Sequence, residues 1–307
     1  MKKTGKTKVI VTGGAGFIGS HLVEALVQEG YEVHVIDNLS KGKREQVNPQ
    51  AVFHQADVRN QAEIKPIFAG AEAVFHLAAI PQVEYSIQHP IETNDVNVNG
   101  TLNVLMAAKD AGVKRIVYSA SGGSVYGDQD VFPVHEKMLP KPKSPYAIQK
   151  YIGEHFCRIW SEIHGVETVS LRYFNVYGPG AHENGAYALV TALFLKQKRE
   201  GVPLTITGDG KQTRDFVHVS DVAWANLLAL TSKKVGRGEV INIGSGKESS
   251  VLQIAEMIGG TVVHIAPRIE PRRSFSDITL AKKLLGWEPK ISLEKGIREL
   301  KKLQGLN

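Results

Sequence analysis

The stretch that decides the fold is KVIVTGGAGFIGSHLVEALVQEG, at positions 8–30. Its first five residues are rich in β-branched side chains and predict a strand, whereas SHLVEALVQEG repeats apolar side chains at helical spacing. Gly13, Gly16 and Gly19 lie in the turn between the two elements. Glycines there allow a tight turn, a close approach of the backbone to a phosphate group and close packing of helix against strand. Free N–H groups at the start of a helix attract the same phosphate, so the stretch predicts a dinucleotide site.

The alternation of strand and helix continues through the first half of the chain. Strand patterns occupy 8–12, 32–36, 73–77, 115–119 and 168–172, and helical patterns occupy 17–29, 61–69, 91–111 and 145–164. Helices of this length between strands imply crossovers and a parallel sheet that is covered on both faces. We therefore predict a doubly wound parallel α/β (Rossmann) sheet over residues 1–173 and a smaller α/β substrate-binding lobe over 174–307. Within the second part, 216–243 is expected to return to the first domain.

Composition excludes several other classes of protein. The 307 residues are 42% hydrophobic, too many for a disordered chain, and Cys157 is the sole cysteine, so neither a disulfide framework nor a metal site is predicted. The apolar runs are too short to span a bilayer and the N-terminus has no secretory apolar region, so we expect a cytoplasmic protein with no membrane partner. The net charge is +6, yet no stretch interleaves basic with aromatic residues. We therefore expect no nucleic-acid partner.

Asp37 follows the second predicted strand, where a dinucleotide fold places a ribose-binding acid. A carboxylate there accepts hydrogen bonds from both ribose hydroxyls and repels a 2′-phosphate, so NAD is favoured over NADP. The alternative is a turn-capping aspartate. Ligands in such sheets gather at the carboxyl ends of the strands, which makes Asp57 and Val58 candidates for the adenine edge. The full set of predicted cofactor contacts in this half is Gly13, Gly16, Phe17, Ile18, Gly19, Asp37, Asn38, Leu39, Ser40, Gly42, Asp57, Val58, Leu77, Ala78, Ala79 and Asn97.

The segment SPYAIQK, at 144–150, predicts the start of a helix with catalytic side chains. Ser144 and Pro145 suit the N-cap and first helical position, which places Tyr146 and Lys150 one turn apart on the same face. A free phenol has a pKa of about 10, and a neighbouring ammonium together with a positive nicotinamide ring would lower it. Tyr146 could then act as base and acid, with the Ser121 hydroxyl as a second partner of the substrate oxygen. The alternative is a surface Tyr–Lys pair on an amphipathic helix.

Eight segments together resemble one enzyme superfamily: TGGAGFIGSH, DNLS, HLAA, NVNGT, SASGGSVYG, SPYAIQK, RYFNVYGPG and GDGKQTRDFVHVSD. In this order they resemble the extended short-chain dehydrogenase/reductases of the NAD-dependent epimerase/dehydratase type, over nearly the whole chain. Within these, the chain is most similar to the UDP-glucose 4-epimerase branch. The family's Ser/Thr, Tyr and Lys fall on Ser121, Tyr146 and Lys150, with Ser124 as a rival for the serine.

The resemblance also suggests how a UDP-sugar is held in the second lobe. Asn175, Arg214 and Arg268 match the diphosphate contacts of the family, although Arg272 or Arg273 could replace Arg268 because this segment is one residue shorter. Phe174 is expected near the nicotinamide, and strand 204–206 near the uracil. Ser274 falls where the family has a bulky Tyr or a smaller residue beside the hexose 2-substituent.

These features predict NAD-dependent 4-epimerisation of UDP-glucose and UDP-galactose. The small Ser274 side chain extends this prediction to UDP-GlcNAc and UDP-GalNAc. Related dehydratases and decarboxylases have acids just after the serine, where this chain has Gly122 and Gly123. The absence of those acids favours epimerisation. A dehydratase or decarboxylase of the same superfamily is the alternative, and a non-catalytic NAD-binding sensor is a second one. The resemblance also suggests a homodimer that forms through the 91–111 and 145–164 helices.

Overall fold

The fold was analysed in a computed structural model, which describes residues 6–183, 189–267 and 272–306. Its centre is a parallel sheet in the order β3-β2-β1-β4-β5-β6-β11. The strands are β1 (Lys8–Thr12), β2 (Glu32–Asp37), β3 (Val52–Gln55), β4 (Ala73–His76), β5 (Arg115–Ser121), β6 (Glu167–Tyr173) and β11 (Arg237–Ile243). The predicted doubly wound parallel α/β sheet is confirmed.

Helices cover both faces of the sheet. One face is covered by α1 (Phe17–Gln28), α9 (Val219–Thr231) and α11 (Thr279–Leu285), and its core includes Leu22, Val222 and Leu285. The other face is covered by α2 (Gln61–Ile64), α5 (Gly100–Asp110) and α7 (Pro145–His164). Because both faces of the sheet are covered, the central strands are buried over most of their length and have apolar runs such as VIV in β1 and AVF in β4.

The chain departs from the sequence-based assignments in three elements. Strand β3 was not predicted, since VFHQ is a short, partly exposed edge strand with a weak pattern. The predicted helix 61–69 divides into α2 and a 3₁₀ turn, Lys65–Phe68, at Pro66, which has no N–H to donate. The predicted helix 91–111 divides into α4 (Pro90–Asn94), a π-helical turn (Asp95–Asn99) and α5.

The second lobe is built from short strand pairs and helices. Strand β7 (Asn175–Tyr177) pairs with β10 (Phe216–His218), β8 (Leu204–Thr207) pairs with β13 (Val262–Ile265), and β9 (Thr213–Arg214) pairs with β12 (Ser249–Ser250). The helices are α8 (Val190–Arg199), α10 (Val251–Ile258) and α12 (Leu293–Leu303), around a core that includes Phe194, Ile206 and Ile297. After β10 the chain returns to the large sheet as α9 and β11. Two short helices, α3 (Val83–Gln88) and α6 (Gly122–Val125), lie beside the carboxyl edge of the sheet.

Within the described ranges, no helix is both long and apolar enough to cross a bilayer.

Candidate active site

The glycine turn after β1 is packed so tightly that side chains are excluded. Gly13 has φ +72°, its N–H donates to the Ile36 carbonyl (2.8 Å), and a Cβ there would lie 2.6 Å from the Ala78 nitrogen. A Cβ on Gly19 would overlap the Gly13 carbonyl oxygen. In the described part of the chain, no side chain caps α1 and no acid lies in its first turn, which includes the predicted contacts Phe17 and Ile18. The start of α1 therefore fits a phosphate group.

Asp37 lies at the end of β2 and is 9% exposed. Its two carboxylate oxygens accept hydrogen bonds from the N–H groups of Ala15 (3.0 Å) and Leu39 (2.8 Å). Leu39 is held in the left-handed region, with φ +59°. Each oxygen keeps a second lone pair, so the carboxylate still fits two ribose hydroxyls.

The other predicted adenosine contacts lie beside Asp37. Asn38 donates to Asp57 (2.8 Å) and accepts from the Ser40 N–H, while a Cβ on Gly42 would lie 2.6 Å from the Ala15 backbone. A hydrogen bond from Arg59 lowers the pKa of Asp57 to about 2. Val58 is buried against Gly100. The polar atoms and glycines of this cluster suit the nucleoside of a dinucleotide.

Two serines fix the start of α7. The Ser144 hydroxyl accepts from the Ala147 N–H (3.2 Å), and the buried Ser86 hydroxyl of α3 accepts from the Tyr146 N–H (3.1 Å). The first turn of a helix has N–H groups without helical partners, so these two bonds satisfy donors and also fix the turn that carries Tyr146. Ser86 was missed from sequence because its role depends on a contact 60 residues away.

Tyr146 and Lys150 both point into the protein and are buried. The Lys150 ammonium donates to the Ser119 carbonyl (2.8 Å) and lies 4.9 Å from the centre of the Tyr118 ring. The predicted pair is therefore internal, which rules out the surface-pair alternative.

Burial dominates the titration of both groups. It lowers the pKa of Lys150 to about 8 and raises the pKa of Tyr146 to about 12, although a hydrogen bond with Ser121 partly opposes the second shift. The expectation that the Lys150 ammonium lowers the phenol's pKa is thus not met by the groups of the chain alone. A phenolate here needs further positive charge close to it.

The two candidate serines lie next to each other. Ser121, the last residue of β5, donates to the Ser124 hydroxyl on α6 (3.1 Å). Ser121 is the serine that lowers the pKa of the Tyr146 phenol against the effect of burial, which favours Ser121 over Ser124 as the partner of that phenol. Gly122 lies against the ring of Phe174, and a Cβ on Gly122 would overlap that ring.

Asn97 lies in the π-helical turn and is 1% exposed. The side-chain oxygen of Asn97 accepts a hydrogen bond from the Ile80 N–H (2.8 Å). Its side-chain NH₂ group donates to the Ile80 carbonyl (3.1 Å) and to the side-chain oxygen of Gln149 (2.8 Å). These bonds tie the segment after β4, which contains Leu77, Ala78 and Ala79, to α7. The predicted contact of Asn97 with a cofactor stays a prediction.

His76 lies beneath the site without a positive charge. Its ring nitrogens are hydrogen-bonded to the hydroxyls of Thr12 (2.7 Å) and Thr101 (2.9 Å). Burial, together with the Lys150 charge, lowers the pKa of His76 to about 3. His76 is therefore neutral near pH 7 and does not place a second positive charge beside the Lys150 ammonium.

A cavity of about 250 Å³ lies in the second lobe between β7, β8 and β10, and is lined by Asn175, Thr205, Thr207, Arg214 and Phe216. Arg214 donates to the Thr213 carbonyl (2.8 Å). The Ser274 N–H donates to the same residue (3.2 Å), which places Ser274 beside Arg214. Of the predicted substrate contacts that the structure describes, Asn175, Arg214 and the strand at 204–206 therefore lie around one cavity, and Ser274 lies next to Arg214.

Of the basic residues predicted after β13, Arg268 lies outside the described residues. The two alternatives to it are already paired, Arg272 with Asp209 (2.8 and 2.7 Å) and Arg273 with Glu248 (2.7 and 2.6 Å). Both guanidinium groups use their two-pronged donor face on a carboxylate. The suggestion that Arg272 or Arg273 replaces Arg268 stays a prediction, and either residue would have to leave its carboxylate to bind a phosphate.

Comparisons with known proteins agree with this geometry. The profile of the NAD dependent epimerase/dehydratase family matches residues 9–244. A UDP-glucose 4-epimerase of Mycolicibacterium smegmatis is 37% identical over 308 residues, covering 94% of this chain and 96% of that protein. The crystal structure of a Thermotoga maritima UDP-glucose 4-epimerase with UDP-glucose is 40% identical, has a TM-score of 0.92 and covers 97% of this chain and 99% of that one.

A second activity also occurs among the relatives. UDP-glucuronic acid decarboxylase 1 of Xenopus tropicalis is 34% identical over 306 residues, covering 96% of this chain and 71% of that protein. The glycine turn, the Asp37 carboxylate at the end of β2 and the buried Tyr146–Lys150 pair fit NAD. The chain therefore belongs to the NAD dependent epimerase/dehydratase family and is an NAD-dependent enzyme.

Proposed function

We propose that the protein inverts carbon 4 of a UDP-hexose reversibly, through a 4-keto sugar. The observation that carries this proposal is the grouping of Tyr146, Lys150 and Ser121 at the same carboxyl edge of the sheet as the glycine turn, with two glycines directly after the serine. UDP-sugar enzymes among the relatives support the substrate class.

The chain's own groups perform the proton chemistry. Tyr146 takes the proton of the 4-hydroxyl, and Ser121 shares a hydrogen bond with the same oxygen. NAD, when bound, would supply the hydride acceptor and donor, and the positive charge of its oxidised ring would add to that of Lys150 in favouring the phenolate. Lys150 is oriented for this role by its bond to the Ser119 carbonyl.

Inversion requires that the sugar turn over while its nucleotide stays in place. Arg214 and Asn175 line the second-lobe cavity and are proposed to hold the diphosphate, together with Arg268. A guanidinium group suits this task because it stays charged and donates two parallel hydrogen bonds to phosphate oxygens. Strong contacts to UDP and few to the hexose are what this mechanism needs.

Phe174 argues against the dehydratase and decarboxylase alternatives. Its ring fills the space that a side chain on Gly122 would need, and residues 119–127 contain no acid. Glycine cannot move a proton, so elimination or decarboxylation would lack the acids found there in those enzymes. The non-catalytic sensor is disfavoured because the buried Tyr–Lys–Ser set is intact.

The test is to incubate the purified protein with UDP-galactose and to determine the mass and configuration of the product. We expect UDP-glucose, of unchanged mass. Tyr146→Phe should lower the rate by roughly 10²–10⁴-fold while NAD stays bound, because it removes the acid–base group. A product lighter by water or carbon dioxide, or a near-normal rate in Tyr146→Phe, would contradict the proposal.

We also propose that UDP-GlcNAc and UDP-GalNAc are substrates, because Ser274 has a small side chain beside Arg214. Ser274→Tyr should lower kcat/KM for UDP-GalNAc much more than for UDP-galactose. An equal loss of kcat/KM for both sugars would contradict the proposal that the small side chain of Ser274 admits the N-acetyl group. A cytoplasmic location and a homodimer stay predictions.

A further inference from the structure

Asp215 is a fully buried carboxylate between Arg214 and the first residue of β10. One oxygen accepts hydrogen bonds from the N–H and hydroxyl (2.7 Å) of Ser245. The other accepts from the N–H (3.1 Å) and hydroxyl (2.6 Å) of Ser276 and from the N–H of Gly246 (3.2 Å). These five donors are neutral, and a buried carboxylate is stable when such donors replace its hydration.

The backbone of Asp215 is used as well. Its carbonyl oxygen accepts from both the N–H (3.0 Å) and the side-chain amide (3.1 Å) of Asn175. The amide orientation of Asn175, a proposed diphosphate contact, therefore depends on where Asp215 lies. Arg214 is its direct neighbour in the chain, so its position depends on Asp215 too.

The donors of Asp215 come from two separate parts of the fold. Ser245 and Gly246 follow β11 of the large sheet, whereas Ser276 belongs to the segment that contains Ser274. Gly244 makes this junction possible, because a Cβ there would lie within 3.0 Å of the Asp215 carboxylate. One side chain thus joins the end of the large sheet to the segment that contains Ser274, next to the strand ends that line the second-lobe cavity.

We propose that Asp215 is a positioning residue that fixes Asn175, Arg214 and Ser274 for binding of the UDP moiety. The inference rests on the proposed function. Asp215 itself does not touch the substrate, since its carboxylate oxygens face serine and backbone donors. Its loss should therefore weaken nucleotide-sugar binding more than it slows the chemical step at Tyr146.

Asp221 provides a matched control in the same part of the chain. It is also a buried aspartate whose carboxylate accepts backbone N–H groups, those of Lys290 (3.0 Å) and Ile291 (3.0 Å). These bonds fix the segment before α12, which contains none of the proposed substrate contacts. Asp221→Asn therefore measures how much stability is lost when a buried aspartate in this part of the chain loses its charge.

The experiment compares the NAD-loaded wild type with Asp215→Asn and Asp221→Asn. The measurements are the Kd for UDP by calorimetry, kcat and KM for UDP-galactose, bound NAD and Tm. In Asp215→Asn we expect the Kd for UDP and the KM to rise by about tenfold, the effect of losing one hydrogen bond to a charged group. We expect kcat and NAD content to stay near the wild-type values. Asp221→Asn should lower Tm without changing the Kd or KM.

An unchanged Kd for UDP in Asp215→Asn, or an equal rise in Asp221→Asn, would overturn the proposal. Should Asp215→Asn fail to fold, Ser245→Ala combined with Ser276→Ala removes two of the five donors and tests the same effect on Kd. A wild type that binds UDP but does not epimerise UDP-galactose would refute the proposed function, while the Kd for UDP would still test Asp215.

Discussion

Lys150 is a side chain whose charge is useful to the chemistry and costly to the fold. It is 3% exposed, and burial lowers its pKa from 10.5 to about 8. Near pH 7 it is protonated in both the folded and the unfolded chain. The folded state therefore bears the cost of a buried ammonium, which water would otherwise solvate.

Because of this cost, we predict that the difference in the free energy of unfolding between the wild type and Lys150→Met changes with pH. Between pH 8 and 10.5 the folded Lys150 loses its proton while the unfolded chain keeps it, so the wild type gains stability as pH rises. The gain is at most about 3 kcal/mol. Denaturant unfolding of both proteins at pH 7 to 10.5 would measure it as a change in the difference between their free energies of unfolding. A difference that is constant with pH would show that Lys150 is not desolvated in this way.

Sequence reasoning at the residue scale succeeded where a pair is local. Tyr146 and Lys150 are one helical turn apart, so their spacing alone places them on one face of α7. Ser86 and Asn97 act through residues that are 60 and 17 to 52 positions away, and no local pattern indicates such contacts. The titration of Tyr146 was also beyond the sequence, since it depends on burial.

At the scale of elements, the short helix α6 shows how packing determines which side chains the site contains. Gly122 lies against the ring of Phe174, whereas a Cβ on Gly123 would meet no atom within 4 Å. Both glycines have backbone angles outside the left-handed region. Gly122 and Gly123 therefore differ in the space available for a side chain, whereas neither needs a backbone conformation that favours glycine.

We predict opposite outcomes for alanine at these two positions. Gly122→Ala should destabilise the protein by roughly 1–3 kcal/mol through overpacking, and should lower activity because Phe174 must move. Gly123→Ala should leave activity intact and stability equal or up to about 1 kcal/mol higher, because alanine favours a helix. Thermal unfolding and initial rates measure both effects. Equal losses in the two variants would contradict the packing argument.

The π-helical turn marks the limit of sequence reasoning for elements. Apolar spacing over 91–111 predicts one helix, and a helix does run through most of this range. The pattern cannot show that the backbone widens at Asp95–Asn99, where Asn97 turns inward to Ile80 and Gln149. Such local widening is set by tertiary hydrogen bonds, which override helical propensity.

At the scale of the whole molecule, the order of strands and helices predicted the large sheet because each βα unit has its own period. The second lobe was less predictable, since its strands are two to four residues long and pair over long distances. Strand β3 was missed for the same reason of shortness. A hydrophobic period can be recognised only when it repeats over several helical turns or strand residues.

Three exposed isoleucines lie on or beside the helices through which the homodimer is predicted. Ile87, Ile91 and Ile148 are 52%, 86% and 46% exposed and lie on α3, α4 and α7. Ile91→Glu should give a particle near 33.6 kDa instead of twice that mass, measured by sedimentation, because a charge would be buried at the contact. Leu303→Glu, at an exposed position on α12, is the control and should leave the mass unchanged. A wild type of 33.6 kDa would refute the prediction.

The position of β11 at the outer edge of the sheet has a consequence for synthesis on the ribosome. Strand β6 ends at Tyr173, yet its outer neighbour is made from Arg237–Ile243. The 63 residues 174–236, and then β11 itself, must therefore be synthesised before this strand edge is paired, and unpaired edges recruit other chains. We expect a chain truncated at 236 to aggregate more than one that ends after β11, in the same pelleting assay, because only the second chain can pair the outer edge of β6. Slow translation between these two points would lengthen the period in which a chaperone is needed.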